Sequence, residues 1–306
     1  MRLIAVDAER AGQRIDNFLF NQLKGVPKSV IYRILRTGQV RINGKRAKPD
    51  TRIAAADQIR IPPIRLPEKA ELGTPQPGHL AQVERAIIYE DRDFLVLNKP
   101  SGIASHGGSG VSFGAIELLR ASRPRENLEL VHRLDRDTSG VLVFARRRSA
   151  LTALQSAIRE GDVIKRYLAL LEGHLPQQSL SVNAALKKSV LQGGERMVQV
   201  APDGKPSLSH VRVLEEYASC TLVEVKLETG RTHQIRVHCQ HIGHPVAGDD
   251  KYGSREFNRA IRDIGLKRLF LHAAHFEFQL PNNDQSYAFH APLPEDLVSV
   301  LNLMQA

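Results

Sequence analysis

Two short strings concentrate side chains able to do chemistry. The first is His132-Arg133-Leu134-Asp135-Arg136-Asp137-Thr138-Ser139-Gly140. Seven of its nine residues are polar or charged, and it runs straight into the apolar stretch Val141-Leu142-Val143-Phe144-Ala145. Two carboxylates and two guanidiniums in five residues are costly to hold beside an apolar strand unless they are paired. The plain reading is a salt-bridged turn. The chemical reading is a carboxylate kept for nucleophilic or proton-transfer work. The second string is Gly230-Arg231-Thr232-His233-Gln234-Ile235-Arg236-Val237-His238. A strand should end at Gly230. Thr232 can cap a helix whose apolar face is Ile235, Cys239 and Ile242, and Gly243 should end it. His233, His238, His241 and His244 crowd this segment and invite a metal. Four histidines along a helix need not converge, and no carboxylate–histidine spacing typical of a metalloenzyme accompanies them, so no metal is expected. A third string, Lys165-Arg166-Tyr167-Leu168-Ala169-Leu170, puts a tyrosine inside an apolar run, which by itself reads as core.

Two familiar motifs fail. The glycines at 108, 110 and 114 miss the spacing of both the dinucleotide fingerprint and the phosphate loop, and read as a loop. A kinase reading of His132-Arg133-Leu134-Asp135 lacks the glycine-rich loop, the Asp-Phe-Gly string and the asparagine it requires.

The elements that must hold these strings fall into two blocks. Residues 12–63 read as one compact unit. Ile15, Phe18, Leu19 and Leu23 follow helical spacing; Ser29 can cap a second helix carrying Val30, Ile31, Ile34 and Leu35 that stops at Gly38. Gln39-Val40-Arg41-Ile42 alternates as a strand, turned by Asn43-Gly44, and Ile59-Arg60-Ile61 alternates again. Residues 64–83 are rich in proline and glycine and read as a linker. Residues 84–306 form the second block, in which strands and helices alternate to the end; Asp93-Phe94-Leu95-Val96-Leu97-Asn98-Lys99-Pro100 is an apolar strand closing in a polar turn.

Charge divides along the same line. The chain of 306 residues carries a net charge of +10, and residues 1–65 alone hold 14 Lys and Arg against 5 Asp and Glu. Basic density in a small unit favours an anionic partner, because it is local charge that releases phosphate counterions. Composition is that of a globular protein, 42% hydrophobic and 25% charged. Two cysteines make neither a disulfide framework nor a zinc or iron–sulfur site. No apolar run is long enough for a membrane span, and the opening residues lack a secretory signal, so cytoplasm is the expectation.

Together, LVLNKPSG, HRLDRDTSG, KRYLAL and TGRTHQIRVH resemble the RluA-type pseudouridine synthases in order and spacing, as do Gly248-Asp249 and Leu271-His272-Ala273. The N-terminal block resembles the alpha-L RNA-binding domain (the ribosomal S-four type). KGVPKSVIYRILR and HGGSGVSFG resemble the RluC-type branch, which acts on several uridines of bacterial 23S rRNA. The resemblance implies an α+β fold: a central mixed, largely antiparallel sheet with an active-site cleft, plus the small RNA-binding domain. It implies Asp135 as nucleophile, or as assistant to a glycal intermediate, paired with Arg236. By the same resemblance Tyr167 is expected to pack against the target base, Arg133 to fill the gap left by the flipped base, and His132, Leu271 and Arg231 to line the substrate site. RNA contact falls to Arg33, Arg36, Arg41, Lys45 and Arg46. Lys99 looks structural, or at most a phosphate contact. The resemblance implies no cofactor, 23S rRNA as the partner, and a monomer. Two other readings stay open: the same chemistry on tRNA or other rRNA sites, and a catalytically silent RNA-binding assembly factor.

Overall fold

The computed structural model describes residues 2–23, 26–64, 75–108, 112–190, 196–280 and 285–305. The chain divides into two compact units, Met1–Leu72 and Gly73–Ala306.

In the first unit, β1 (Arg2–Ala5), α1 (Ile15–Gln22), α2 (Lys28–Arg36), β2 (Arg41–Ile42), β3 (Lys45–Arg46) and β4 (Gln58–Ile61) enclose one apolar core. Ile15, Phe18, Leu19, Ile31, Ile34, Leu35, Ile53 and Ile59 are buried in it. The four strands pair in the order β1-β4-β2-β3. Asn43 and Gly44 both have positive φ, the turn that a two-residue hairpin needs and that an Asn-Gly pair predicts. Three expectations are corrected. Strand β1, antiparallel to β4, lies before the expected start of this unit. Pro27, not Ser29, is the N-cap of α2, and its carbonyl accepts from the Val30 and Ile31 amides. The strand after α2 begins at Arg41, because the Gln39 and Val40 amides turn back to the Ile34 carbonyl.

The segment read as a linker is also corrected. Residues 65–74 lie outside the described residues, but Pro77–Arg85 forms α3. Proline sits at the start of that helix, where a missing N–H costs nothing, and Val83 is buried.

The second unit is built on a ten-stranded sheet. Its strands are β5 (Ile87–Glu90), β6 (Phe94–Lys99), β7 (Glu129–Leu130), β8 (Ser139–Ala145), β9 (Val163–Glu172), β10 (Ser179–Asn183), β13 (Leu208–Tyr217), β14 (Cys220–Leu227), β15 (Leu271–Gln279) and β16 (Ser286–His290). They run β10-β13-β14-β9-β15-β8-β6-β5, with β16 on β15 and β7 on β8. Strands β11 (Leu186–Val190) and β12 (Arg196–Val200) form a separate hairpin. Helices α4 (Ala115–Ser122), α5 (Arg148–Glu160), α6 (Gln234–His241), α7 (Arg255–Asp263) and α8 (Glu295–Gln305) complete the unit. The alternation of strands and helices expected here is interrupted. From Val163 to Leu227 the described elements are all strands, and β13 shows the two-residue burial alternation of a half-covered antiparallel sheet.

Among the described residues the one parallel pairing joins β15 to β8, at His272–Ser139 and Ala273–Gly140. Gly140 has φ +113°, and a Cβ there would lie 2.2 Å from the Ala273 carbonyl oxygen. Gly140→Ala should therefore cost about 3 kcal/mol by combined backbone strain and overpacking. Equilibrium urea unfolding measures it, and a loss under about 0.5 kcal/mol would contradict the close approach.

Candidate active site

The loop joining β7 to β8 carries the first reactive string. Its backbone is fixed from two sides. Ser105 Oγ donates to the Leu134 carbonyl (2.8 Å) and accepts the Leu134 N–H (2.9 Å). On the far side of Asp135, the Arg136 carbonyl accepts from the Gly102 amide (2.9 Å) and from Lys99 Nζ (3.0 Å). Lys99 is fully buried, and its ammonium also donates to the carbonyls of Pro100 and Ile103, both at 2.8 Å. Burial pulls its pKa down to about 7. A group this enclosed does not meet a phosphate, so Lys99 is a clamp for the loop.

The polar string is partly what its plain reading says. Arg136 Nε donates to Asp137 at 3.0 Å, an exposed ion pair of little energetic weight. Asp135 is different. Its side chain is 28% exposed, and its Oδ2 lies 3.4 Å from Arg236 Nη1 and 3.8 Å from His233 Nε2. Arg236 comes from α6, and its two-pronged grip is not on Asp135. Nε and Nη2 donate to the two oxygens of Asp249 at 2.6 and 2.8 Å, leaving Nη1 for Asp135. The Asp135–Arg236 pairing that the resemblance implies is thus made through a single guanidinium nitrogen. Asp249 is buried and also accepts the amides of Lys251 (2.9 Å) and Tyr252 (3.0 Å). Burial pushes its carboxyl pKa up, but Arg236 and these amides outweigh that and hold it below the usual carboxylate value. The Arg236 guanidinium sits 5.0 Å from the centre of the Tyr252 ring, and the carboxylates around it raise its pKa further despite burial.

Helix α6 starts one residue later than expected. Its N-cap is His233, in the left-handed region at φ +54°, rather than Thr232. Gln234 supplies the polar anchor there, its Oε1 accepting from Thr229 Oγ1 (2.8 Å) and the Arg231 amide (3.0 Å). Ile235 and Cys239 are buried as their spacing predicts. The histidines do not converge. His238 Nδ1 and Nε2 each lie 2.9 Å from a partner, Ser209 Oγ and the Ala184 carbonyl; His244 Nδ1 is 2.8 Å from the Glu172 carbonyl. No cluster of three metal-ligating side chains occurs among the described residues.

A cleft of about 780 Å³ opens over this loop, lined by His106, His132, Arg133, Asp135, Lys165, Tyr167, Arg231 and Phe276 among others. A smaller pocket of about 70 Å³ shares Arg133, Asp135, Tyr167 and Arg231 with it and adds His233, Arg236 and Leu271. The structure thus brings together the expected Asp135, Tyr167, Arg236, Arg133, His132, Leu271 and Arg231. Tyr167, on β9, is held between Val225 of β14 and Ala273 of β15. Burial and the nearby Asp135 charge push its pKa above the ordinary phenol value, so it stays a neutral phenol at pH 7. Arg133 is exposed at the cleft, with Nη1 3.0 Å from His106 Nε2. His132 stacks on Phe276 at 4.7 Å, accepts the Val143 amide on Nε2, and is pushed down to about 3 by burial. Arg231 is exposed, its Nε donating to the Pro206 carbonyl. In the other unit, Arg33, Arg36, Lys45 and Arg46 are exposed, and half-buried Arg41 donates to the Gly44 carbonyl.

The whole chain aligns at 53% identity over 309 residues with the "Ribosomal large subunit pseudouridine synthase C" of Escherichia coli K12, covering 100% of this chain and 97% of that protein. The chain belongs to the RNA pseudouridylate synthase family. The family model for RNA pseudouridylate synthase matches residues 93–241, and the S4 domain model matches residues 13–59. The Vibrio cholerae protein of the same description is 50% identical over 309 residues, again 100% of this chain and 97% of that one. A solved human structure, RNA Pseudouridylate Synthase Domain Containing 1, superposes with TM-score 0.58 at 32% identity, over 68% of this chain and 83% of its own. The expected α+β synthase fold with an S4 unit is therefore the fold of this chain, and the synthase is an RNA uridine-to-pseudouridine isomerase.

Tyr252 and Ser105 carry no signal of residue type or spacing in the sequence; His233 reads there only as one of four histidines that could hold a metal, and Asp249 only as part of the family resemblance. The structure gives the reason for the glycine that precedes Asp249: Gly248 has φ +71°, and a Cβ there would strike the Arg268 carbonyl oxygen at 2.1 Å. Lys165 also lines the cleft, with its pKa lowered by burial.

Proposed function

We propose that the synthase isomerises specific uridines of bacterial 23S rRNA, with Asp135 as the nucleophile. The observation that carries the chemistry is a carboxylate at the head of a cleft, facing a guanidinium whose other prongs are locked by Asp249. A carboxylate can serve as nucleophile, and a guanidinium fixed beside it orients the attacking oxygen. Full-length similarity to ribosomal large-subunit synthases supports the substrate class.

In this reading the target uridine leaves its stack and enters the pocket, and Arg133 fills the gap it leaves. Asp135 attacks C1′ of the ribose as the C1′–N1 bond breaks. The uracil turns, C5 forms the new bond to C1′ and releases Asp135, the C5 proton departs, and N1 ends protonated. Tyr167 packs against the base as a phenol. His132, Leu271 and Arg231 line the site. No redox partner is needed, because the reaction is an isomerisation.

The first unit supplies affinity through Arg33, Arg36, Arg41, Lys45 and Arg46. Arg33→Ala/Arg36→Ala/Lys45→Ala in the full chain should flatten the plot of log affinity against log salt by roughly two, since each phosphate contact contributes about 0.7 to 0.9 to the slope. An unchanged slope would place the RNA footprint elsewhere. No described helix is long and apolar enough to cross a membrane; we place the synthase in the cytoplasm, as a monomer. The deciding experiment maps pseudouridine by nucleotide in unmodified 23S rRNA and in tRNA incubated with the protein. Product in 23S rRNA at discrete sites supports the proposal. Product only in tRNA moves the substrate, and binding without product in either leaves an assembly factor.

A further inference from the structure

The chemistry above uses Asp135 and Arg236 and gives His233 no task, yet His233 is built with unusual care. Its backbone sits at φ +54°, a conformation non-glycine residues adopt at a cost. Its ring meets the Tyr252 ring edge-on at 5.5 Å, and its Nδ1 lies 2.8 Å from the Tyr252 hydroxyl. Its other nitrogen, Nε2, faces Asp135 Oδ2 at 3.8 Å, on the carboxyl oxygen that Arg236 also approaches.

The tautomer follows from Tyr252. That residue is 2% exposed, and its hydroxyl oxygen accepts the Val198 amide N–H at 3.0 Å. A buried hydroxyl proton needs an acceptor, and the one at hand is His233 Nδ1. Nδ1 is then the unprotonated nitrogen, and the proton of the neutral ring resides on Nε2, aimed at Asp135. A protonated ring would have two donors and would leave the Tyr252 hydroxyl proton with nowhere to go. Burial acts in the same direction, lowering the His233 pKa.

We propose that His233 is a positioning residue for Asp135: a neutral Nε2–H donor, locked in that tautomer by Tyr252, that closes onto the carboxylate when RNA fills the cleft. A separation of 3.8 Å is too long for a hydrogen bond, but catalytic contacts are often long before substrate binds and tighten in the complex. Neutrality matters here. A second full cation beside Arg236 would hold the carboxylate charge more tightly and blunt its attack, whereas a neutral donor orients the same oxygen at a smaller cost in reactivity. The lock begins on β12, since Val198 belongs to the hairpin β11–β12, so the hairpin's seat and the orientation of Asp135 are linked through two side chains.

This inference rests on Asp135 being the reacting carboxylate, and its tests separate the two ideas. The first is ¹⁵N NMR of the full-length protein labelled at histidine, at pH 7.5. The His233 resonances, assigned by their loss in His233→Asn, should show an unprotonated Nδ1 and a protonated Nε2. The opposite tautomer, or a charged ring, overturns the proposal whatever the kinetics of the variants. The second is single-turnover kinetics at saturating RNA. Asparagine tolerates the left-handed backbone but is too short to reach Asp135, so His233→Asn should slow turnover about 100-fold with RNA affinity within twofold. His233→Gln restores the reach and should recover to within about fivefold of the native rate. A native rate for His233→Asn, or equal loss in both variants, overturns the role while leaving an inactive Asp135→Asn to support the nucleophile on its own.

Discussion

Asp135→Asn should abolish pseudouridine formation, by at least 10³-fold in single turnover, while RNA affinity stays within about twofold and the fold stays intact. Loss of a nucleophile typically removes nearly all of the chemical rate enhancement. The amide keeps the shape of the carboxyl and the backbone contacts that shape the loop. The Ser105, Gly102 and Lys99 hydrogen bonds go to the carbonyls and amide of residues 134 and 136, not to the Asp135 side chain. Arg236 is not orphaned either, because Asp249 retains both of its strong contacts. Stability should therefore change by less than about 1 kcal/mol, the range of substitutions that leave no buried charge unpaired. Rapid-quench assay beside filter binding measures the two quantities separately. A variant that turned over at the native rate would remove Asp135 from the chemistry. A variant that bound RNA poorly would make the carboxylate a structural group.

The sequence was most legible where local rules dominate. The buried faces of α1 and α2 follow from helical spacing, and the Asn43-Gly44 turn follows from the positive φ that those residues tolerate. The apolar strand Phe94–Lys99 reads directly, and so does the reactive string before Ser139. What did not read depends on contacts remote in sequence. Asp135 meets Arg236, 101 residues away, and nothing local says that the arginine's fork is already taken by Asp249. The end of the strand Phe94–Lys99 reads as a polar turn; the task of Lys99 and Gly102, gripping the Arg136 carbonyl, exists only once β6 and β8 lie side by side. His233 looked like one of four helix histidines. Its singular feature is a left-handed backbone that spacing cannot reveal, and that same feature displaced the helix cap expected at Thr232. Pro77 misled in the opposite direction, since a proline that breaks a helix interior is well placed at a helix start.

Asp249→Ala should be the most damaging single change outside the nucleophile, through stability and chemistry at once. The Arg236 side chain is only 10% exposed, so removing Asp249 leaves a guanidinium in an enclosed site with Asp135 alone to answer it. Breaking a buried pair in this way costs about 3 to 5 kcal/mol. The amides of Lys251 and Tyr252 lose their acceptor as well, which loosens the turn that seats Tyr252 against His233. The chemical effect runs through Arg236. Without Asp249 the fork is free to turn onto Asp135, and a two-pronged cation on the nucleophile lowers its reactivity even in molecules that remain folded. Activity per folded molecule should fall at least 10-fold, beyond the loss expected from unfolding. The pH dependence gives a check whose sign is fixed. Arg236 and the two amides hold the Asp249 carboxyl below its ordinary value of 3.8. Its contribution to native stability is therefore complete above about pH 4 to 5 and is lost as the pH falls through the lower folded value. Urea unfolding at pH 7 and at pH 3 should show the gap between native protein and Asp249→Asn narrowing in acid, because the unfolded chain takes up on this carboxyl a proton that the native state resists. A gap that stayed constant or widened below pH 4 would show that Asp249 does not act as the ionised counterweight of Arg236.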